Sequence, residues 1–537
     1  MRFTSGSLSW GGTAYVLIFL SLGALFAHSQ DAAKPKPHVS YDGPALTFDF
    51  PGVRVGVAEY EAEPTGTTVL YFPTPVVAAV DVRGGAPGTV NTDGLRLAYD
   101  DPFVNAIVLS GGSSYGLSAA TGVANALKDM ITDAGNFDDV ATVSGAIIFD
   151  LGDRRFNTIT PDEELGRAAL KGARAGWFPL GARGAGRFAM QGYGLDITQH
   201  SGQGAAFRQY GDTKVLVVTV NNGGLVVDRK GRVMRCSHPV DGHCGSISDV
   251  IAAHLATLGN PKQARADFGN NQTNPQGLTR HTTITIVVTN KSLPFWALQR
   301  LGVQVHNSMA RGDQPMAEGD DGDTLFTVTT GKAVGAAISD ADMDDLGMLA
   351  SETAWDALLA SLPQLPPKTP RTNIVPSAKE LDSIVGSYAF SSDAVAVVRS
   401  KGTALEIELT GHTTSSNYLS VGKPALLTAV ATDEFEIAGP REDRLHIDRD
   451  ADGAIIGITI NPGVWPVRAT AQHGSNPRAF FARGLPTAIL GSDSSSLGGL
   501  SAIRKLSRNV RALSGLPRKK KCGGARSCGR GSFDRVV

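Results

Sequence analysis

Thr282 opens the run His281-Thr282-Thr283-Ile284-Thr285-Ile286-Val287-Val288-Thr289, which reads as a β-strand. A threonine at the first position of a strand becomes a chain terminus if the peptide bond before it breaks. The freed α-amine then serves as base for the adjacent hydroxyl, which activates an otherwise weak nucleophile. A helix-like stretch follows, with Leu298, Leu301 and Val305 on one face. Next come Asp320-Asp321-Gly322-Asp323 and a second strand, Thr324-Leu325-Phe326-Thr327-Val328. A strand–helix–strand crossover makes the two strands parallel if they share a sheet, so both starts lie on one edge. Thr282 then meets Asp321 and Asp323, although 39 residues (321 − 282) separate Thr282 from Asp321. Two carboxylates beside a strand-start hydroxyl can orient it and handle its proton. The plainer alternatives are a Thr-rich amphipathic strand and a solvated acidic turn.

Other patterns compete. Gly112-Ser113-Ser114-Tyr115-Gly116 satisfies Gly-x-Ser-x-Gly between a strand and a helix, as a serine-hydrolase nucleophile elbow does. Asp241 with His243, or His281, would be its partners. Of the four Cys, Cys236 and Cys244 flank a loop with His238 and His243. A disulfide fits there after export; the spacing matches no standard zinc site. Asp448-Arg449-Asp450-Ala451-Asp452-Gly453 imitates the start of a calcium loop, but its twelfth position is Thr459, so it reads as a hairpin turn. Arg311-Gly312-Asp313 imitates an adhesion tripeptide and reads as a chance match in a helix-end turn.

The chain has 537 residues and a formal net charge of −1, which gives no general attraction for nucleic acid. Residues 1–29 read as a secretory signal, with Arg2 as the early charge, an apolar stretch over 14–26 and Ala27-His28-Ser29 as a cleavage site. The apolar stretch is short for a stable membrane span, so the expected location is secreted or periplasmic. Residues 30–45 read as a linker. Over 46–362 strand-like and helix-like segments alternate, which implies helices packed on sheets. They include strands at 104–110 and 147–149 and a helix over 115–127. A helix starts at the capping box Thr160-Pro161-Asp162-Glu163, and strands at 215–220 and 225–227 flank an Asn-Asn-Gly-Gly turn. After a Pro-rich linker at 363–378, residues 379–472 show short period-two runs such as Leu405-Glu406-Ile407-Glu408-Leu409, which predict a small β-barrel or sandwich. Residues 473–537 form a Ser-, Gly- and Arg/Lys-rich tail with Cys522 and Cys528, expected to be disordered.

Several strings in order resemble the P1 family of self-processing aminopeptidases, which includes L-aminopeptidase/D-esterase, β-peptidyl aminopeptidases and nylon-oligomer hydrolases. They are Pro51-Gly52-Val53-Arg54-Val55-Gly56, Thr65-Gly66-Thr67-Thr68-Val69, Asp81-Val82-Arg83-Gly84-Gly85-Ala86-Pro87-Gly88-Thr89, Leu109-Ser110-Gly111-Gly112-Ser113-Ser114-Tyr115-Gly116-Leu117, Ile147-Ile148-Phe149-Asp150-Leu151, Thr282-Thr283-Ile284 and Asp321-Gly322-Asp323-Thr324-Leu325-Phe326. The resemblance implies an α+β fold, a four-layer αββα sandwich, here followed by the small all-β domain. It implies self-cleavage between His281 and Thr282, an acyl-enzyme on Thr282, and orientation of the nucleophile by Asp321 and Asp323. Asn221 matches the family's Asn near the oxyanion, and Tyr115 its aromatic near the substrate pocket. The Thr nucleophile with Asp-Gly-Asp looks most like the nylon-oligomer branch. The chain departs from the family in two places. His281 stands where Asn or Gly usually precedes the nucleophile. Tyr193 falls near a Lys of some members, with Arg187 in Gly184-Ala185-Gly186-Arg187 as a candidate substitute cation.

The expected function is therefore cleavage of amide bonds, and of esters as a second substrate class, at free N-termini of small peptides or amino-amides. No metal and no organic cofactor is required. The resemblance implies a homo-oligomer of α/β chain pairs. Two readings stand against it: a serine esterase using Ser114, and a catalytically inactive binding protein.

Overall fold

The computed structural model describes residues 35–472 apart from short internal segments, the longest being 258–281. The signal-peptide and tail readings, Cys522, Cys528, His281 and Tyr193 lie outside the described residues. Strands β1 (Arg54–Tyr60), β2 (Thr65–Val82), β3 (Phe103–Ser110), β4 (Val143–Ile147), β5 (Gln203–Tyr210) and β6 (Thr213–Asn222) belong to one ten-stranded sheet. The pair β7 (Leu225–Val226) and β9 (Asp313–Gln314) stands apart from it, whereas β8 (Thr282–Thr289) and β10 (Thr324–Thr329) rejoin it. The order along the sheet is β5-β6-β8-β10-β2-β3-β4, with β1 paired to β2. Within β2, pairing to β3 shifts register between Tyr71 and Val76. Pro73 and Pro75 fall in that interval and have no N–H for a ladder.

Helices α3 (Phe295–Met309) and α4 (Asp340–Ala360) cover one group of strands. Leu298, Leu301, Val305, Leu346 and Ala354 pack against Val215, Val217, Val287 and Leu325. Helices α1 (Ser118–Lys128) and α2 (Glu163–Lys171) cover another, with Val123, Leu165 and Ala169 against Tyr60, Val69 and Val108. The opposite strand faces share one core that includes Val55, Leu70, Leu216, Ile284, Ile286 and Phe326. Every residue of β8 is buried, so the Thr-rich strand is not amphipathic. Ile284 and Ile286 each contribute roughly 1.5–3 kcal/mol by burial.

Local expectations fail where a longer-range contact wins. The α2 helix is capped by Asp162, whose extended backbone lets its side chain accept from Leu165 N, and not by Thr160. The Asn-Asn-Gly-Gly segment does not close a hairpin between its flanking strands. Instead β6 lies between β5 and β8, and β7 pairs with β9. The helix expected over 115–127 is a 3-10 turn at Ser113–Leu117 followed by α1.

Beyond α5 (Ala378–Ile384), which Ser377 and Glu380 start with a capping box, eight strands form a closed antiparallel barrel from Gly386 to Ala471. Leu405, Ile407 and Leu409 point into its core, and the Asp450 side chain organises a hairpin turn by accepting from Asp452 N and Ala454 N. Phe188 and Ala182 pack into the barrel's apolar cluster, and Trp465 stacks on His200 with ring centroids 3.7 Å apart. Cys236 and Cys244 form a disulfide, which removes both sulfurs as zinc ligands. Among the described residues, no helix is long and apolar enough to cross a membrane.

Candidate active site

The strand–helix–strand unit has the geometry expected of it. β8 and β10 are parallel, with Ile284 opposite Thr324, so Thr282 and the Asp321-Gly322-Asp323 turn share one edge. On the other side β6 is antiparallel and sets Asn222 opposite Thr282 and Asn221 opposite Thr283. Thr282, Thr283, Asn221, Asp321 and Asp323 are all buried. Thr283 N donates to Asp323 Oδ1 at 2.6 Å, which ties the strand start to the turn. Asp321 and Asp323 each accept from Ala317 N, at 3.1 and 2.9 Å, and Asp321 Oδ1 accepts from Gly322 N at 2.8 Å.

Glycine is required at two approaches. A Cβ on Gly322 would lie 2.5 Å from Thr282 Oγ1 and 3.1 Å from its Cγ2, so the hydroxyl rests directly on the turn. A Cβ on Gly84 would lie 2.4 Å from Asp321 O and from Asp323 N. Arg83 N and Ala86 N donate to Asp323 O and Asp321 O at 3.0 and 2.6 Å. The Arg-Gly-Gly-Ala string is therefore a backbone clamp on the acidic turn. Gly322→Ala is expected to lower kcat about 100-fold by displacing the Thr282 hydroxyl. The variant should still fold, less stable by the usual cost of overpacking, about 1–3 kcal/mol; unchanged turnover would mean that the hydroxyl does not react in this position.

Asn221 is held rather than loose. Its Oδ1 accepts from Gly223 N at 3.0 Å, and its Nδ2 donates to Gly224 O at 3.3 Å. The amide carries a second N–H. A third carboxylate, overlooked in the sequence, joins the cluster. Asp313 of β9 is buried and accepts from Thr283 Oγ1 at 2.8 Å. The same burial excludes adhesion by Arg311-Gly312-Asp313, and Arg311 pairs with Glu352 at 2.9 Å. Gln191 is also buried nearby. Its Oε1 accepts from Val226 N at 3.0 Å, and its Nε2 has no hydrogen-bond partner among the described residues.

Burial pushes the Asp313 carboxyl up to about 7; the Thr283 hydrogen bond opposes this and the Asp321 charge adds to it. Asp323 is raised well above the ordinary carboxylate range by burial, then by Asp321 and Asp313. A carboxyl whose folded pKa is raised favours folding most below its unfolded value and loses that contribution as pH rises through the folded value. Stability should therefore fall between about pH 4 and pH 7 by a few kcal/mol. Urea midpoints at pH 5 and pH 8 check this, and Asp313→Asn should flatten the difference.

Other predicted residues lie elsewhere. Tyr115 is 70% exposed on the turn after β3 and makes no hydrogen bond into the cluster, so it is not a core residue. Arg187 is buried with its Nε 3.1 Å from Glu59, which commits its charge to that ion pair. In a nucleophile elbow the strained residue is the nucleophile. Here the positive φ values belong to Gly112 and Ser113, not to Ser114.

The model of peptidase family S58 matches residues 45–367. The 6-aminohexanoate-oligomer endohydrolase of Paenarthrobacter ureafaciens is 40% identical over 341 residues, 62% of this chain and 89% of that protein. An uncharacterized aminopeptidase of Mycobacterium leprae is 33% identical, over 51% of this chain and 73% of its own length. Among solved structures, the L-aminopeptidase D-Ala-esterase/amidase of Ochrobactrum anthropi aligns with a TM-score of 0.43 at 16% identity, covering 60% of this chain and 88% of that one.

Proposed function

The chain belongs to peptidase family S58 and is a hydrolase, and from that premise we propose that it processes itself and works through Thr282. What carries the reading is the seat of the Thr282 hydroxyl: first in a buried strand and against Gly322 of the Asp321-Gly322-Asp323 turn, with Asn221 on the neighbouring strand opposite Thr283. The hydroxyl attacks the carbonyl carbon of residue 281, and the peptide nitrogen leaves as the Thr282 α-amine. Water then cleaves the resulting ester. In the mature enzyme that amine takes the hydroxyl proton as Thr282 attacks a substrate amide. The tetrahedral oxyanion is stabilised by the second N–H of Asn221. The amine leaving group departs protonated, and water releases the acyl group.

Asp323 holds the strand start through Thr283 N, and Asp321 shapes the turn that seats the hydroxyl. The exposed Tyr115 ring is the proposed contact for an apolar substrate chain. One apolar core between strand faces, with a further cluster beneath each helix pair, supports an αββα sandwich, followed by the barrel as a second domain. The disulfide supports export, and the oligomer of α/β pairs is proposed from the resemblance alone.

Substrates are proposed to be small amides with a free amino end, including ω-amino acid oligomers, the class named in the Paenarthrobacter relative. Intact-mass measurement and N-terminal sequencing of the purified protein test the proposal. Two chains are expected, one beginning Thr-Thr-Ile-Thr. A single uncut chain would remove this route of activation. Amino-terminally free and acetylated 6-aminohexanoate oligomers then separate exo- from endo-cleavage.

A further inference from the structure

The Thr283 hydroxyl has one proton and two acceptor neighbours. Asp313 Oδ2 lies 2.8 Å away and Asn221 Oδ1 lies 3.3 Å away. Where that proton goes depends on Asp313. If the carboxyl is ionised, Thr283 must donate to it, and Asn221 Oδ1 keeps only the Gly223 N–H. If the carboxyl bears a proton, it donates to Thr283 Oγ1, and Thr283 is released to donate to Asn221 Oδ1. No heavy atom moves between these states.

We infer that Asp313 is a positioning residue of this site, whose proton-bearing carboxyl acts through the Thr283 hydroxyl to lock the Asn221 amide in its working orientation. The functional consequence rests on the proposed role of Asn221 at the oxyanion; the proton relay itself does not. Two observations favour the proton-bearing form. Asp313 Oδ1 is buried and, among the described residues, has no hydrogen-bond partner, which is costly for a charged oxygen. It is also crowded by the chain: a Cβ on Gly224 would lie 2.4 Å from it, so water has little room there. Among the described residues, the titratable groups that act on Asp313 are Asp321 and Asp323, both acidic. The nearby Arg311 is engaged with Glu352 instead. Burial pushes the Asp313 carboxyl up to about 7, so it changes form within an ordinary assay range.

Asp313→Asn keeps a donor to Thr283 but cannot ionise; Asp313→Ala removes the donor. On 6-aminohexanoate p-nitroanilide, wild-type kcat is expected to fall as pH rises through neutrality, and Asp313→Asn to lose that alkaline limb. Asp313→Ala and Thr283→Val should each lower kcat about 10- to 100-fold, with KM changed less than about threefold, a smaller loss than removing an oxyanion donor outright. Infrared difference spectra at pH 5.5, wild type minus Asp313→Asn, should contain the carbonyl band of a protonated carboxylic acid. Absence of that band overturns the relay whether or not the enzyme turns over. An Asn variant with the wild-type pH profile overturns the positioning role. A band present with no turnover on any amide would sink the hydrolytic role of Thr282 and leave the relay standing. If Asp313→Asn does not fold, the same band, lost when the wild type is titrated to alkaline pH and shifted in Thr283→Val, decides the relay.

Discussion

Alanine at position 282 is expected to leave the chain uncut and to lower kcat/KM on amide substrates by roughly 10⁴-fold or more. The size of the effect follows from one residue holding two roles. In the proposed mechanism the hydroxyl is the nucleophile in both reactions, and the α-amine that serves as base is freed only by the first. Removing one oxygen therefore removes the nucleophile and prevents the base from appearing. Thr282→Ser keeps the oxygen and should still cut itself, with slower turnover because the methyl group that helps hold the rotamer is gone. The fold should survive either change, because Ile284, Ile286 and Phe326 hold the strand. Chain masses, N-terminal sequences and kcat/KM read the outcome. A Thr282→Ala protein cut at the same bond and still active would return attention to Ser114 or another group.

The largest loss of stability is expected from Gly166→Val. Gly166 on α2 and Gly122 on α1 sit where the two helices approach most closely. A Cβ on Gly166 would lie 2.1 Å from Ala119 O, and one on Gly122 would lie 2.1 Å from Glu163 O. Both obstacles are backbone, which cannot rotate away as a side chain can. The helices must separate, and Leu165, Ala169 and Val123 lose contact with the strands beneath. Overpacking ordinarily costs about 1–3 kcal/mol; this site should exceed about 4 kcal/mol, since the clash disrupts a whole layer. Gly94→Ala, where a Cβ meets nothing within 4 Å, is the matched control. Urea midpoints compare them. A shift for Gly166→Val as small as that of the control would mean that the helix pair is not closely packed in solution.

Part of this site was legible in the amino-acid order because part of it is local. The start of a Thr- and Val-rich strand at Thr282, the apolar face of α3, and the Asp-Gly-Asp turn before β10 are successive elements of one crossover. The handedness and brevity of such units bring both strand starts to one edge. The disulfide loop, the Asp450 turn and the period-two strands of the barrel were legible for the same reason: each is specified within a few residues.

What the order could not convey depends on partners distant along the chain. Asp313 lies on a two-residue strand with no periodicity to mark it, and its meaning comes from its pairing with Val226 and from the Thr283 hydroxyl that donates to it. The Asn221-Asn222-Gly223-Gly224 segment looks like a hairpin turn because its flanks are strands; tertiary pairing sends those strands to different sheets. Arg187 looked like a cation open to a site until Glu59, 128 residues earlier (187 − 59), took its charge. The sequence by itself therefore determined the nucleophile candidate, the two carboxylates of the turn on the same sheet edge and the order of elements that carries them. Tertiary structure alone decided which further side chains are desolvated against them, because burial, and with it the raised pKa of Asp313 and Asp323, belongs to the packed whole and to no single segment.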